Sequence, residues 1–545
     1  MSTSPLLSGA IPPRAPDSAA TAESGARRTL WASLLGWLVV GLKIGSQLLL
    51  IPLSLHFLGA REYAFYIVIY SLYGSIGLSE MGINQTMANW QAAAFARQDR
   101  AAFNRILATG CGLYWIIGAA IGVLWTLVIA TQPVDLWLLR DGAGHWVVLF
   151  KWSLAIAGLL ALLRMSTNAF DATLRGIRET AQRQGLVAAM TVLVLLVSVL
   201  ALALRTGLLG LIIASNLCYI ACEIGLYFLA RRTQPWVRLA LRGFSPRLAW
   251  PLLANSFFFF LMSIGVLFQR VAGNLLAARF GPLSEVPAMY LVLTLLRVAG
   301  WTLADVVSRM MQPYIVKFAV EDQLERIRKL ASLTTKLTCV IVAVVGASVW
   351  IGARLAMKLA LGAHSSVGNA VVGLLTVSFL VDGMFLATTN FMIGLDRHRG
   401  LAWALVSYAL GAAGLAILGA LWWPAADPLV GLSVGLLVAS VIGQGAVLPF
   451  LIRRWLGIAW RRYWREFLLP AATLMFVALL AGCILTRGGS PSLLAIAGGV
   501  LSVGVGIPLI AWSWVLEDTE RRWLAASWRS IIGQSSASKE VDLVC

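Results

Sequence analysis

The sequence predicts an all-α, polytopic membrane protein with about fourteen transmembrane helices. Three observations carry that expectation. Of 545 residues, 59% are hydrophobic and only 12% are charged, against about 25% charged in soluble domains. The apolar residues fall into runs long enough to cross a bilayer as helices, which takes roughly 20 residues. Lys and Arg gather in every second connection between those runs, the pattern of cytosolic loops. A β-barrel is excluded, because its strands need only about ten alternating residues.

Residues 1–29 are rich in Ser, Ala and Pro and include Arg27-Arg28. They lack a long apolar run followed by a small-residue cleavage site, so they read as a disordered cytosolic tail and not a signal peptide. Apolar runs at 31–57, 63–84, 106–131, 146–169, 184–204 and 208–229 form a first half, 30–231. The linker 232–247 carries Trp236 among Arg238, Arg242 and Arg247. It reads as a cytosolic interfacial segment. The second half, 248–453, holds runs at 248–278, 286–312, 337–353, 367–395, 401–422 and 428–451. Residues 454–516 add the stretch WLGIAWRRYWREF at 455–467, in which Trp and Arg alternate at helical spacing, and two last runs at 467–485 and 493–516. The stretch is expected to be an interfacial helix touching anionic headgroups. Residues 517–545 form a second cytosolic tail.

With the N-terminus inside, roughly thirty Lys and Arg fall in inside segments and about eight in outside ones. That bias supports an even span count and two cytosolic termini; the expected location is the cytoplasmic (inner) membrane. The net charge of +19 then reports topology and lipid headgroups, not nucleic acid. No outside loop exceeds about fifteen residues, which leaves no room for an extracytosolic catalytic domain. The six cysteines form no C-x-x-C pair or Cys/His cluster, so neither zinc nor a disulfide framework is expected. Cys218 and Cys222 share one helix face as packing residues. The four histidines lie near loop ends without partners in sequence. No P-loop occurs and no nucleophile motif stands out, so no cofactor is expected.

Charges inside spans are functional candidates by default. The first run places Lys43 one turn from Gln47, with Ser54 two turns further along the same face. A lysine at that depth costs roughly 2.5 kcal/mol or more in hydrocarbon, unless it faces protein or a wet cavity. The other basic candidates are Arg164, Arg270, Arg297 and Arg309; the acidic ones are Glu80, Glu223, Asp305 and Asp382. Lys43 and Arg297 suit a lipid pyrophosphate, one as a point charge and one as a bidentate fork. A structural ion pair with Asp382 is the competing reading. Gln269 and Arg270 form a polar face with Asn274. Asp305 and Arg309, at i and i+4, read as a local ion pair. Arg164 and Glu223 either snorkel or pair. Glu80 is a gating or a capping residue, and Asp382 and Glu223 are candidates for ion coupling. Tyr66, Tyr70, Tyr73 and Trp301 stack on sugars or pack between helices.

The two halves share a faint repeat. Gln47 precedes Gly59 by twelve residues, as Gln269 precedes Gly281, and Tyr66 and Tyr290 follow in the next runs. Duplication of this kind is common in transporters.

The pattern IPLSLHFLGAREYAFYIVIYSL…GLSEMGINQ resembles the opening of Wzx-like polysaccharide-export flippases, a branch of the multidrug/oligosaccharidyl-lipid/polysaccharide superfamily. The matching features are Pro52, the Leu58-Gly59 turn, the aromatic stretch Tyr63 to Tyr73, and Glu80-Met81-Gly82, where the family often has Asp. The motif covers residues 46–90; topology extends the resemblance over most of the chain. It implies two six-helix lobes around a central cavity plus two C-terminal helices. The implied cargo is a lipid-linked oligosaccharide, and the implied partners are membrane lipids and polysaccharide polymerase or export proteins. A multidrug or organic-cation antiporter of the same superfamily is the alternative. A peptidoglycan-precursor flippase is close to the first in mechanism, and a glycan polymerase or ligase is disfavoured by the short outside loops.

Overall fold

The computed structural model describes residues 19–76, 82–139, 142–177, 179–320, 323–362, 366–387, 391–392, 395, 398–423, 427–486 and 493–531. Between Ile264 and Gly265 the chain divides into two compact units. The first contains α1 (Ala19–Ile76), α2 (Ile83–Ala96), α3 (Arg100–Thr131), the short α4 (Val134–Leu138), α5 (Val147–Gly176), α6 (Thr180–Ala203), α7 (Gly207–Thr233) and the start of α8 (Pro246–Phe280). The second holds the rest of α8, α9 (Val286–Leu293), α10 (Trp301–Val320), α11 (Leu324–Leu361), α12 (Asn369–Met384) and α13 (His398–Trp422). It continues with α14 (Pro428–Ile442), α15 (Leu448–Leu456), α16 (Trp460–Tyr463), α17 (Leu469–Thr486), α18 (Leu493–Ile510) and α19 (Asp518–Ile531). π-helical turns at Thr294–Gly300, Gly443–Val447 and Trp464–Leu468 join α9 to α10, α14 to α15, and α16 to α17.

Among the described residues, twelve helices are long and apolar enough to cross a membrane, and α12 is a shorter apolar helix. The first of the twelve, Leu38–Leu72, is broken at Gly59, with φ 77° and ψ 168°. An L side chain resists that positive φ and glycine does not. The break falls between the first two expected runs. With it, and with α12, each of the fourteen expected runs has a helix. Large apolar side chains such as Val123, Leu196, Leu421, Leu494 and Leu501 remain exposed on these helices, as a lipid-facing surface requires.

The core of the first unit forms where α2, α3 and α5 pack around Met87, Phe103, Tyr114, Met165 and Phe170. The linker at 236–247 packs against α3. Trp236 lies edge-on to Phe103, with ring centroids 5.1 Å apart, and its backbone oxygen accepts a 3.0 Å bond from Asn104 Nδ2. Arg238 N donates to the same side chain at 3.1 Å. These bonds hold the linker as a strap on α3, and only Leu241–Gly243 makes a turn of 3-10 helix. Trp236 is half-buried against the core of the first unit.

In the second unit α11 is the central rod, contacting α10, α12, α17 and α18. Its 38 residues make it about 57 Å long. Its first turns are polar: Arg462 bridges Glu325 at 2.9 Å and Glu466 at 2.8 Å. Arg328 donates to the backbone oxygens of Leu456 and Gly457 at the end of α15. The stretch expected to lie at the interface is helical from Trp460 and continues through its π turn into α17. Further along α11, the buried Lys336 donates to both carboxylate oxygens of Glu520 on α19, at 2.8 and 2.9 Å.

Helices α13 and α14 cross closely. A methyl group added at Gly431 would sit 2.1 Å from the Gly419 carbonyl oxygen, and one at Gly435 would sit 2.1 Å from that of Leu415. Gly431 and Gly435, four apart, are the small-residue pair that lets two membrane helices touch backbone to backbone.

Candidate functional site

That crossing assembles a polar cluster inside the second unit. Tyr408 on α13 and Ser440 on α14 are both buried, and the Tyr408 hydroxyl lies 3.1 Å from Ser440 Oγ. The same hydroxyl donates to Asp382 Oδ1 on α12 at 3.0 Å. Ser378, one turn earlier on α12, reaches Ser440 Oγ at 2.8 Å. Opposite Asp382 stands Arg297, whose Nη2 lies 4.0 Å from Asp382 Oδ2; the two side chains are 3% and 1% exposed. Arg297 sits within the π-helical turn that joins α9 to α10. Such turns recur at functional sites, because the extra residue re-aims a side chain. Its guanidinium carbon is 5.8 Å from the Trp301 ring centre, within cation–π reach.

A second cluster lies inside the first unit. Arg164 Nε on α5 donates to Glu223 Oε1 on α7 at 2.8 Å. Thr167, one turn along α5, donates to the other carboxylate oxygen. The Arg164 guanidinium lies over the Tyr219 ring at 4.1 Å. Asn216, seven residues before Glu223 and so on the same face of α7, is 1% exposed. Its Nδ2 donates to Ile212 O at 2.9 Å, while its Oδ1 accepts nothing among the described residues. Of the two readings open for Arg164 and Glu223, the structure shows pairing.

Each unit therefore sets a guanidinium against a buried carboxylate that also accepts from a hydroxyl, Tyr408 in the second unit and Thr167 in the first. Charges so placed cost several kcal/mol to desolvate unless they are paired and hydrogen-bonded.

No family model matches the chain, and no curated protein matches it significantly. Solved structures do match. An inward-facing multidrug resistance MATE family transporter of the MOP superfamily aligns with a TM-score of 0.60, at 15% identity, over 78% of this chain and 94% of that one. The outward-facing form gives 0.58 at 16% identity. The lipid II flippase MurJ, inward closed, gives 0.58 at 10% identity over 90% of this chain and 99% of its own. The chain has the MATE–MurJ fold.

Within that fold the remaining candidates are distributed unevenly. Lys43 lies exposed on α1, and its carbonyl accepts a bond from Ser46 Oγ at 2.9 Å. Gln47, one turn on, is half-buried, with Oε1 shielded and lacking a hydrogen-bond partner among the described residues. Glu80 and the side chains of Gln269, Arg270 and Arg309 lie outside the described residues. The pairing expected for Asp305 with Arg309 lies outside them for the same reason. Tyr66 stacks between Tyr63 and Tyr70, at 6.2 and 5.8 Å, as packing aromatics do. Sequence reasoning found the charged members of both clusters and missed Thr167, Ser378, Tyr408 and Ser440. The only available signal was the cost of placing hydroxyls in apolar runs, and such residues are common in membrane helices.

Proposed function

We propose that this chain is a flippase, carrying a lipid-pyrophosphate-linked oligosaccharide (a polysaccharide repeat unit) from the inner to the outer leaflet of the cytoplasmic membrane by alternating access. The observation that carries this reading is the guanidinium set against a buried carboxylate in each unit, in a fold also used by a lipid II flippase. Lys43, Arg297, Arg270, Arg164, Gln47 and Gln269 are assigned to the substrate. Asp382, Glu80 and Glu223 are assigned to ion coupling or gating. A diphosphate competes with Asp382 for Arg297; a proton or cation on Asp382 tips that competition toward the diphosphate.

The energetics allow transport without ATP. In a cell negative inside, moving a headgroup of charge near −2 outward releases about 4–5 kcal/mol per 100 mV. The reach of the MurJ match, 90% of this chain against 78% for the MATE transporter, supports a flippase over a drug exporter. The second reading, a multidrug or organic-cation antiporter, is favoured by the TM-score of 0.60 and by the buried carboxylates Asp382 and Glu223.

Reconstituted vesicles decide between them. The flippase reading expects a labelled undecaprenyl-pyrophosphate oligosaccharide to cross and ethidium not to; the reverse result overturns it. Lys43→Ala and Arg297→Ala are each expected to abolish surface glycan at near-normal protein levels. A cysteine at position 43 is expected to react with soluble thiol reagents. Collapsing the membrane potential at fixed ion gradients slows flipping if the potential drives it.

A further inference from the structure

A cavity of about 350 Å³ opens where α11 ends and α12 begins. Arg354 and Lys358, one turn apart on α11, line it together with Ser366, Gly368 and Asn369. Both cations are exposed, and no carboxylate is among the described residues of its lining. The sixteen-residue α12 starts here on Gly368, with no side chain capping it. Its first backbone N–H groups have no partner within the helix and point out of its end. Two guanidinium- and ammonium-type donors, a hydroxyl, an amide and a set of uncapped N–H groups thus surround one space. Its volume is within the range of small-molecule sites.

Its position along α11 matters. Arg354 follows Glu325 by 29 residues, about 44 Å along a helix. That exceeds the roughly 30 Å hydrocarbon thickness. The Glu325–Arg462 end and the cavity therefore belong to opposite faces of the membrane. Lys and Arg are dense at the first end, which makes it the cytosolic one. The cavity then lies on the extracytosolic side, where a snorkelling cation alone would need neither a cavity nor an uncapped helix start.

We propose that this cavity is a phosphate-binding subsite, which takes the diphosphate of the lipid headgroup as it arrives on the outer side. The assignment of that ligand rests on the flippase reading; the phosphate chemistry does not. Arg354 grips two oxygens as a fork, Lys358 neutralises the remaining charge, and the α12 amides donate from the third side.

The test uses the full-length protein in detergent, titrated calorimetrically with inorganic pyrophosphate. Saturable binding is expected, weakened roughly tenfold or more in R354Q/K358Q by the loss of charge-assisted bonds. It is expected to survive in the conservative swap R354K/K358R. Equal binding by wild type and R354Q/K358Q, or no saturable binding, overturns the site. A second arm measures undecaprenyl pyrophosphate retained from lipid nanodiscs by native mass spectrometry. Retention lost in R354Q/K358Q assigns a lipid headgroup. Unchanged retention with weakened pyrophosphate binding assigns a soluble phosphate to the same site. A chain that flips no lipid yet binds pyrophosphate through these cations loses the flippase reading and keeps the subsite. A chain that flips lipid normally and shows identical binding in the variant loses the subsite alone.

Discussion

Arg297 stands 4.0 Å from Asp382 inside the second unit, close enough for an ion pair and too far for a hydrogen bond. Asp382 is held from its other oxygen by Tyr408. Arg297→Ala leaves the buried carboxylate without its cation, which costs about 3–5 kcal/mol when a buried pair is broken. The double variant R297A/D382A is expected to regain most of that stability, because no charge is stranded, and still to fail in flipping. Thermal unfolding in detergent and vesicle flipping, measured on the same samples, check both halves. Wild-type flipping by the double variant would reduce the pair to a structural role.

The pair in the first unit is asymmetric. Glu223 has a side-chain exposure of 5% and Arg164 of 29%. Arg164→Ala is expected to destabilise more than Glu223→Ala, because it leaves a carboxylate in the interior with only Thr167 to serve it. In Glu223→Ala the guanidinium keeps the Tyr219 ring and reaches the molecular surface. Thr167→Val removes a hydroxyl bond to a charged group, a loss of about 1.5–3 kcal/mol. Melting temperatures of the three variants give the order directly.

Gly431→Ala tests the α13–α14 crossing. The added methyl meets a backbone oxygen at 2.1 Å, which no side-chain rotation relieves. Overpacking of this kind costs about 1–3 kcal/mol, and here it also draws Ser440 away from Tyr408. Gly498→Ala in α18, with nothing within 4 Å of the new carbon, is the control. It is expected to be neutral or slightly stabilising, since Ala is the better helix former. Equal melting temperatures for the two variants would remove the crossing from the account of the site.

Glu520→Ala strands Lys336, whose side chain is 3% exposed. The expected loss is about 3–5 kcal/mol, seen as a lower melting temperature. Lys336→Met in the same background should restore much of it, since the thioether fills the space without a charge. If the rescue fails, α19 is held in place by other contacts, such as the 2.6 Å bond from Arg521 Nη2 to Ser513 O in the turn that follows α18.

The spans were legible because crossing a bilayer imposes length and apolarity on each run, and Gly59 was legible as a break because Leu-Gly followed one run and preceded another. The start of α11 was not. Its expected run began at residue 337, whereas the helix begins at Leu324. Arg326, Arg328, Lys329 and Lys336 lower the hydropathy of those first turns, and Lys336 therefore read as a loop cation. The packing of Trp236 on Phe103 was not legible, because Trp among Arg suits an interface and a core edge equally well. Arg164, Glu223, Arg297 and Asp382 stood out as charges in apolar runs. Their hydroxyl partners Thr167, Ser378, Tyr408 and Ser440 did not, because a contact such as that of Tyr408 with Asp382, 26 residues apart, depends on which helices pack, and periodicity carries no record of that.

The length of α11 has a mechanical consequence. Its ion-paired first turns and its Arg354–Lys358 end are fixed to one rigid body about 57 Å long. A tilt of about 10° about the clamped end would sweep the other end through roughly 10 Å, given the helical rise per residue. A small adjustment among Glu325, Arg328 and Arg462 on one face of the membrane is thereby converted, without any bending, into a large lateral displacement on the other. Any tilt about those salt-bridged turns would be multiplied by the length of the helix at its other end.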